Sequence, residues 1–319
     1  QLADRRCGNS TAEVIDAVSR HGVVKSVAIE ACTGSANFAD ELKSCSDWEV
    51  RLCHPGYVRR MRHNPDKSDK KDSYLLADLN RVGYLPQVWL APSWLRDVKS
   101  VVRYREQQVG ERRDIKLRIR ALLRANRVKV PTKPGLWTRL GMQWLEETLN
   151  ILPDQTSWVM KCLLRKLAQV EKELSETEKR IQLLLKDDPL TQRLLAERGI
   201  GKITSAILRV EIGSFLRFRT GKELSRYCGV TPCNASSGER QADSGLIRAG
   251  SPILKCALIE TAHTLRRVEP RWKEMALRMK AAGKSGNVIV AAIANRWMRK
   301  LFYTMTEFEK GIGVLQEVA

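Results

Sequence analysis

Four histidines are spread over 319 residues, and none of the eight cysteines forms a Cys-x-x-Cys pair. A zinc finger needs that ligand spacing, so this class is excluded. Cys7, Cys32, Cys45, Cys53, Cys162, Cys228, Cys233 and Cys256 are scattered, which reads as buried thiols of a reducing compartment rather than a disulfide framework. Long apolar runs are also missing. The longest, Val288 to Ala294, stops at Asn295, far short of the roughly 18–20 residues a membrane span needs. Gln1 to Arg6 has no apolar h-region, which argues against secretion. No initiator Met is present, so the chain is expected to start inside a longer protein. Acidic residues are scarce as well: 36 Asp and Glu stand against 56 Lys and Arg, a net charge of +20. Such an excess points to phosphate polyanions, whose neutralisation releases counterions.

The apolar fraction of 43% is enough for real cores. Residues 1–92 read as α/β. Ala12 to Val18 has helical spacing, and Val23 to Ile29 is a β-branched run that reads as a buried strand ending at Glu30. A helix over Asn37 to Cys45, a strand over Trp48 to Cys53, a basic loop from Tyr57 to Lys67 and a helix over Asp69 to Asn80 follow. Residues 93–188 read as two long helices. Between Arg96 and Lys129, twelve basic residues face four acidic ones, a local +8. Ile115, Ile119 and Leu122 form the apolar stripe there. From about Thr156 to Lys186, Leu163, Leu167, Val170, Leu174, Ile181 and Leu184 keep heptad spacing, with Thr177 in the gap. Such a seam makes a coiled-coil dimer, an antiparallel hairpin with the preceding helix, or a helix packed on its own domain. Residues 189–319 read as mostly helical. Gly199-Ile200-Gly201 joins two helices in the manner of a helix-hairpin-helix, a Gly/Ser-rich loop spans Cys233 to Ser251, Ser251-Pro252 opens another helix, and a last helix runs from Gly286 to Met305.

Three sets of residues could carry chemistry. Glu30 ends a strand, where α/β folds bind ligands; there it is a metal ligand, a capping acceptor or a solvated strand end. Asp69 and Asp72 are three apart, so a helix puts both on one face. Such a pair ligates Mg²⁺, or simply favours a helix N-terminus; Asp66 and Asp69 share the spacing. Ser236-Ser237-Gly238 is a turn, or holds a serine able to attack phosphate.

In combination these segments resemble the RuvC-like DEDD transposases of bacterial insertion sequences, the IS-one-ten group that includes the Piv-type invertase. The resemblance lies in Ala28-Ile29-Glu30-Ala31-Cys32-Thr33-Gly34-Ser35, in Lys67 to Ser73, in Gly199-Ile200-Gly201 opening Lys202 to Gly213, and in Tyr227 to Pro232 followed by Ser237-Gly238 and Lys255 to Thr261. It implies an RNase H/RuvC-like domain in 1–92, a coiled-coil segment in 93–188 and a C-terminal transposase domain in 189–319. Glu30, Asp69 and Asp72 would be three of four acidic ligands of a two-Mg²⁺ site, and Ser237 the nucleophile that forms a 5′-phosphoserine link. The family's first aspartate, on a first strand, has no counterpart before Glu30, so the RuvC-like domain is expected to be truncated at its N-terminus. The resemblance further implies DNA and a structured noncoding guide RNA as partners, a homodimer or homotetramer, and a cytoplasmic, nucleoid-associated protein. Expected nucleic-acid contacts are Arg112, Arg113, Lys116 and Arg120 on the basic helix, Gly199, Gly201 and Lys202 at the turn, and Arg240, Arg248 and Lys255 beyond it. Two other outcomes stay open: a Holliday-junction-resolvase-like nuclease using water, and an inactive nucleic-acid-binding remnant.

Overall fold

The computed structural model describes residues 6–60, 69–234, 243–248 and 250–318. The chain forms two compact units, Gln1–Ser93 and Trp94–Ala319. The first contains α1 (Thr11–Ser19), β1 (Ser26–Glu30), α2 (Ser35–Cys45), β2 (Glu49–Cys53), α3 (Pro55–Arg60), α4 (Asp69–Arg81) and β3 (Gln87–Val88). β1 pairs in parallel with β2, and β2 antiparallel with β3, giving the order β1-β2-β3. Strand alternation divides the sheet into two faces. Ile29, Val50 and Leu52 pack with Ala39 and Leu42 of α2. Ala28 and Cys53 point the other way, into a cluster with Leu75, Leu76 and Leu79 of α4.

Two expectations for this unit change. The strand begins at Ser26, not Val23, whose side chain is 95% exposed. All five residues of β1 are only half-buried, because β1 is an edge strand that pairs on one side alone. The expected basic loop starts later than Tyr57, since Pro55–Arg60 is helical. Pro55 suits a first helical turn, where its missing N–H costs nothing.

The second unit runs through α5 (Ser93–Ala125), α6 (Arg139–Thr148), α7 (Asp154–Leu184), α8 (Pro189–Leu195), α9 (Lys202–Ile212), α10 (Gly221–Tyr227), β4 (Pro232–Asn234), β5 (Asp243–Leu246), α11 (Pro252–Val268), α12 (Pro270–Ala281) and α13 (Gly286–Val318). Ile115, Ile119 and Leu123 of α5 share one core cluster with Leu145 of α6 and with Met160, Leu167 and Val170 of α7. Arg105 meets Glu178 at 2.8 Å and Lys116 meets Glu171 at 2.9 Å. One number rises as the other falls, so α5 and α7 are antiparallel. The heptad seam of α7 thus faces the preceding helix of the same chain; Leu167, Val170, Leu174 and Ile181 are all buried.

α11 lies against α9, α12 and α13. Ser251 caps it by accepting from the Leu254 N–H, and Pro252 takes the first turn. The segment expected as one Gly/Ser loop contains an antiparallel hairpin, β4 against β5, with a register shift between Pro232 and Asn234. Its residues have weak strand propensity, so pairing, not composition, makes it a sheet. The last helix continues past Met305 to Val318. All cysteines are free, and only Cys53 and Cys228 are buried, so buried thiols are not the rule: Cys7, Cys32, Cys45 and Cys256 are exposed. Among the described residues no helix is long and apolar enough to cross a membrane.

Candidate active site and nucleic-acid interface

The first unit brings two of the three candidate carboxylates together. The Asn80 amide near the end of α4 donates to Ser26 Oγ at the start of β1 (2.9 Å), and its Oδ1 accepts from Arg51 (2.9 Å). α4 packs on β1. Ser26 to Glu30 covers about 13 Å of strand, and Asn80 back to Asp72 covers about 12 Å of helix. With Asn80 at Ser26 and Leu75 and Leu76 packed near Ala28, the two elements run antiparallel, which puts Asp72 toward the Glu30 end of β1.

Both residues are on the facing sides. Glu30 alternates with Ala28 and Ser26, which face α4. Asp72 shares a helix face with Leu76 and Asn80, at i, i+4 and i+8. Asp72 is 7% exposed, a rare depth for a carboxylate. Asp69 opens the helix and is exposed, one turn outward.

The surroundings agree with this placement. Burial, and after it the Glu30 carboxylate, pushes the Cys53 thiol up from its ordinary value. Cys53 Sγ donates to the Ile29 carbonyl at 3.3 Å. A protonated, hydrogen-bonded thiol is a poor metal ligand. The donor set at this sheet edge is then carboxylate oxygen, which suits a hard cation such as Mg²⁺. Among the described residues no three of His, Cys, Asp and Glu are gathered as a metal-holding group. The pair Glu30 and Asp72 fits a divalent ion in chemistry, and Asp69 adds a third oxygen donor only by turning inward. Asp66, Ser236, Ser237, Gly238 and Arg240 lie outside the described residues.

The expected nucleic-acid contacts divide by how they are used inside the chain. Lys116 forms its ion pair with Glu171 and lies over the Trp137 ring, 5.0 Å from its centre. Lys255 Nζ donates to the Ile247 carbonyl at 2.7 Å, and Lys202 Nζ to Gln182 at 2.9 Å. These three lysines therefore help to build the fold. Arg113 and Arg120 are exposed, as is Arg248; Arg112 is half-buried. Arg113 has only the adjacent, exposed Asp114 at 3.3 Å.

Gly199 sits at φ +85°, and a side chain there would come within 3.0 Å of Leu265. Glycine is required twice over, for conformation and for packing. Gly201 precedes α9 with no side-chain cap, so the first N–H groups of that helix keep their hydrogen-bonding capacity. This is the geometry that can hold a phosphate.

Comparison with known proteins decides the family. A model of DEDD transposases of the IS110 type matches residues 1–126, and one described as transposase IS116/IS110/IS902 family matches residues 191–277. The chain belongs to the IS110 family of DEDD transposases. A Pseudomonas aeruginosa protein described as a probable family 20 transposase is 27% identical over 86% of this chain and 82% of its own length. The transposase of insertion sequence element IS1111A from Coxiella burnetii is 23% identical over 85% of this chain and 74% of its own length. That of element IS1328 from Yersinia enterocolitica is 22% identical over 88% of this chain and 84% of its own length.

Sequence reasoning missed the transposase's buried ionic cluster. Arg209 Nε and Nη2 donate to the two Asp188 oxygens at 2.8 and 3.0 Å, and Arg209 also donates to the Gly213 carbonyl. Thr191 donates to Asp188 through both its N–H and its hydroxyl, and the Trp94 ring lies over the guanidinium. Burial works to raise the Asp188 pKa, but the Arg209 and Thr191 hydrogen bonds outweigh it and hold the carboxyl below its ordinary range. Glu211, also buried, meets Lys99 at 3.1 Å and Arg103 at 3.7 Å. Burial pushes Lys99 down further than Glu211 restores it. The one sequence signal was an arginine and a glutamate inside the apolar run Ile203 to Ile212.

Proposed function

We propose that this transposase cuts and rejoins DNA through Ser237, with Glu30, Asp69 and Asp72 as the carboxylates that hold Mg²⁺. The observation that supports it is the antiparallel packing of α4 on β1, with the buried Asp72 toward the Glu30 end of the strand. A divalent cation bound at this edge would be held by carboxylate oxygens from both elements. When bound there, Mg²⁺ would supply positive charge to phosphate oxygens in the transition state.

The protein's own step is a transesterification. Ser237 Oγ attacks a DNA phosphorus, an Oγ–P bond forms, and the P–O3′ bond breaks. The 3′ oxygen leaves as a hydroxyl, taking up the proton that the serine gives away. The 5′-phosphate stays on the serine, so the bond energy is conserved and rejoining needs no ATP.

Sequence choice is read as delegated to a structured RNA of the element, which the exposed arginines of α5 and the +20 charge suit. A dimer or tetramer is the working unit on this reading. The test is covalent trapping. Wild-type protein with the element's RNA, its DNA ends and Mg²⁺ is expected to yield protein–DNA adducts that survive denaturation. Ser237→Ala should yield none. Adducts that persist in Ser237→Ala, or cleavage that leaves protein-free ends in the wild type, would overturn the nucleophile assignment.

A further inference from the structure

We infer that the second unit holds one nucleobase, unstacked from a DNA strand, in a slot between α11 and α13 beneath the β4–β5 hairpin. The inference rests on the reading of Ser237 as nucleophile, because Ser237 lies in the connection between these two strands. The slot is a cavity of about 540 Å³, within the roughly 300–1,000 Å³ range of sites that enclose small ligands. Its walls are Ile259 from α11 and Val288, Ala291 and Ala292 from α13, and Pro232 and Leu246 form the roof. Helical spacing explains the set: 288, 291 and 292 are i, i+3 and i+4 on one face of α13. The two alanines keep the floor flat and shallow, as a planar ring requires.

The hairpin is fixed to this face before any ligand arrives. Asn295 Nδ2 donates to the Val230 carbonyl at 3.2 Å and to Thr231 Oγ1 at 3.3 Å, just ahead of β4. The rim carries polar groups suited to a base edge and its phosphate. His263, Asn287 and Arg296 line it. Among the described residues Arg296 meets the Met275 sulfur, at 3.6 Å, and no carboxylate pairs with it. An apolar slot with a few polar groups at the mouth is how proteins take up an unstacked base. A base seated here would fix the register of the strand.

Photocrosslinking of the full chain tests this. The probe is a twelve-residue thymidine oligonucleotide with one central 4-thiothymidine. Crosslinks are expected in residues 252–263 and 286–296. Ala292→Trp fills the slot and should cut the yield about tenfold or more. Affinity for unmodified oligonucleotide should change by less than about threefold, since phosphate contacts dominate it. A second protein, His263→Ala with Asn287→Ala, alters exposed side chains only, and should lose most of the crosslink even if Ala292→Trp fails to fold. Crosslinks elsewhere, or equal yields in wild type and the double variant, would overturn the inference. So would a wild-type dimer that Ala292→Trp converts to a monomer without any slot crosslink, which assigns the slot to a second copy. Ser237→Ala separates the two readings. Slot crosslinks that persist in it while adducts vanish support both, adducts without slot crosslinks in the wild type sink the slot alone, and adducts retained in Ser237→Ala sink the nucleophile alone.

Discussion

In the second unit Asp188 is half-buried and Glu211 buried, and each meets a cation: Arg209 grips one with two hydrogen bonds, and Lys99 reaches the other at 3.1 Å. In the first unit Asp72 is buried and Glu30 half-buried, one at a helix start and the other at a strand end. The second-unit pair fastens helices to one another, while the first-unit pair stands at a strand end, the edge of an α/β layer where ligands are bound. Helices α8 and α9 are fastened where Arg209 of one meets the N-cap of the other.

The comparison breaks most sharply under substitution. Asp69→Ala is expected to reduce strand transfer by more than about 100-fold, at least what the loss of a supporting metal-site partner costs. Asp69 is exposed, so its thermal midpoint should barely move. Calorimetry beside an in vitro strand-transfer assay checks both; a stable, fully active Asp69→Ala protein would remove this residue from the site. Arg209→Met should do the reverse. It removes the two charge-assisted hydrogen bonds to the half-buried Asp188 and is expected to cost about 1.5–3 kcal/mol of stability, read from urea unfolding.

Acid sharpens the same contrast. The Asp188 carboxyl is held below its ordinary value in the folded protein, so its contribution is complete above the unfolded pKa of about 4. It is lost as pH falls through the lower folded value. The stability gap between wild type and Arg209→Met should therefore narrow as pH drops below about 4, and a gap that stayed constant down to about pH 2 would show that Asp188 is not its source.

The smallest effect separates two cations of α5. Arg113→Ala should lower the salt slope of DNA binding by about 1 and leave stability unchanged. Lys116→Ala should instead cost about 0.5–1 kcal/mol of stability, because it loses Glu171 and the Trp137 face. Salt titrations and melting curves on the two variants tell them apart.

Much of the site was legible because it depends on short-range pattern. Alternation along Ser26–Glu30 puts Glu30 on one face, and i, i+3 spacing puts Asp69 and Asp72 on one side of a helix. Ser251-Pro252 marked the start of α11, and the Gly-x-Gly turn marked the start of α9. The readings that changed depend on partners far away in the chain. Composition gave no sign that Pro232–Asn234 pairs with Asp243–Leu246, since neither segment has strand propensity by itself.

What the sequence by itself determined is therefore most of the elements and the family, set by local periodicity and by residue order. Tertiary structure alone decided the rest. It packed Leu167 and Val170 of the α7 seam against α5, gave Lys116, Lys202 and Lys255 partners inside the chain, and ran α4 antiparallel to β1 with Asp72 toward the Glu30 end. The physical reason is that a periodic stripe specifies that a face must be buried, while the complementary surface that buries it is supplied by residues tens of positions away.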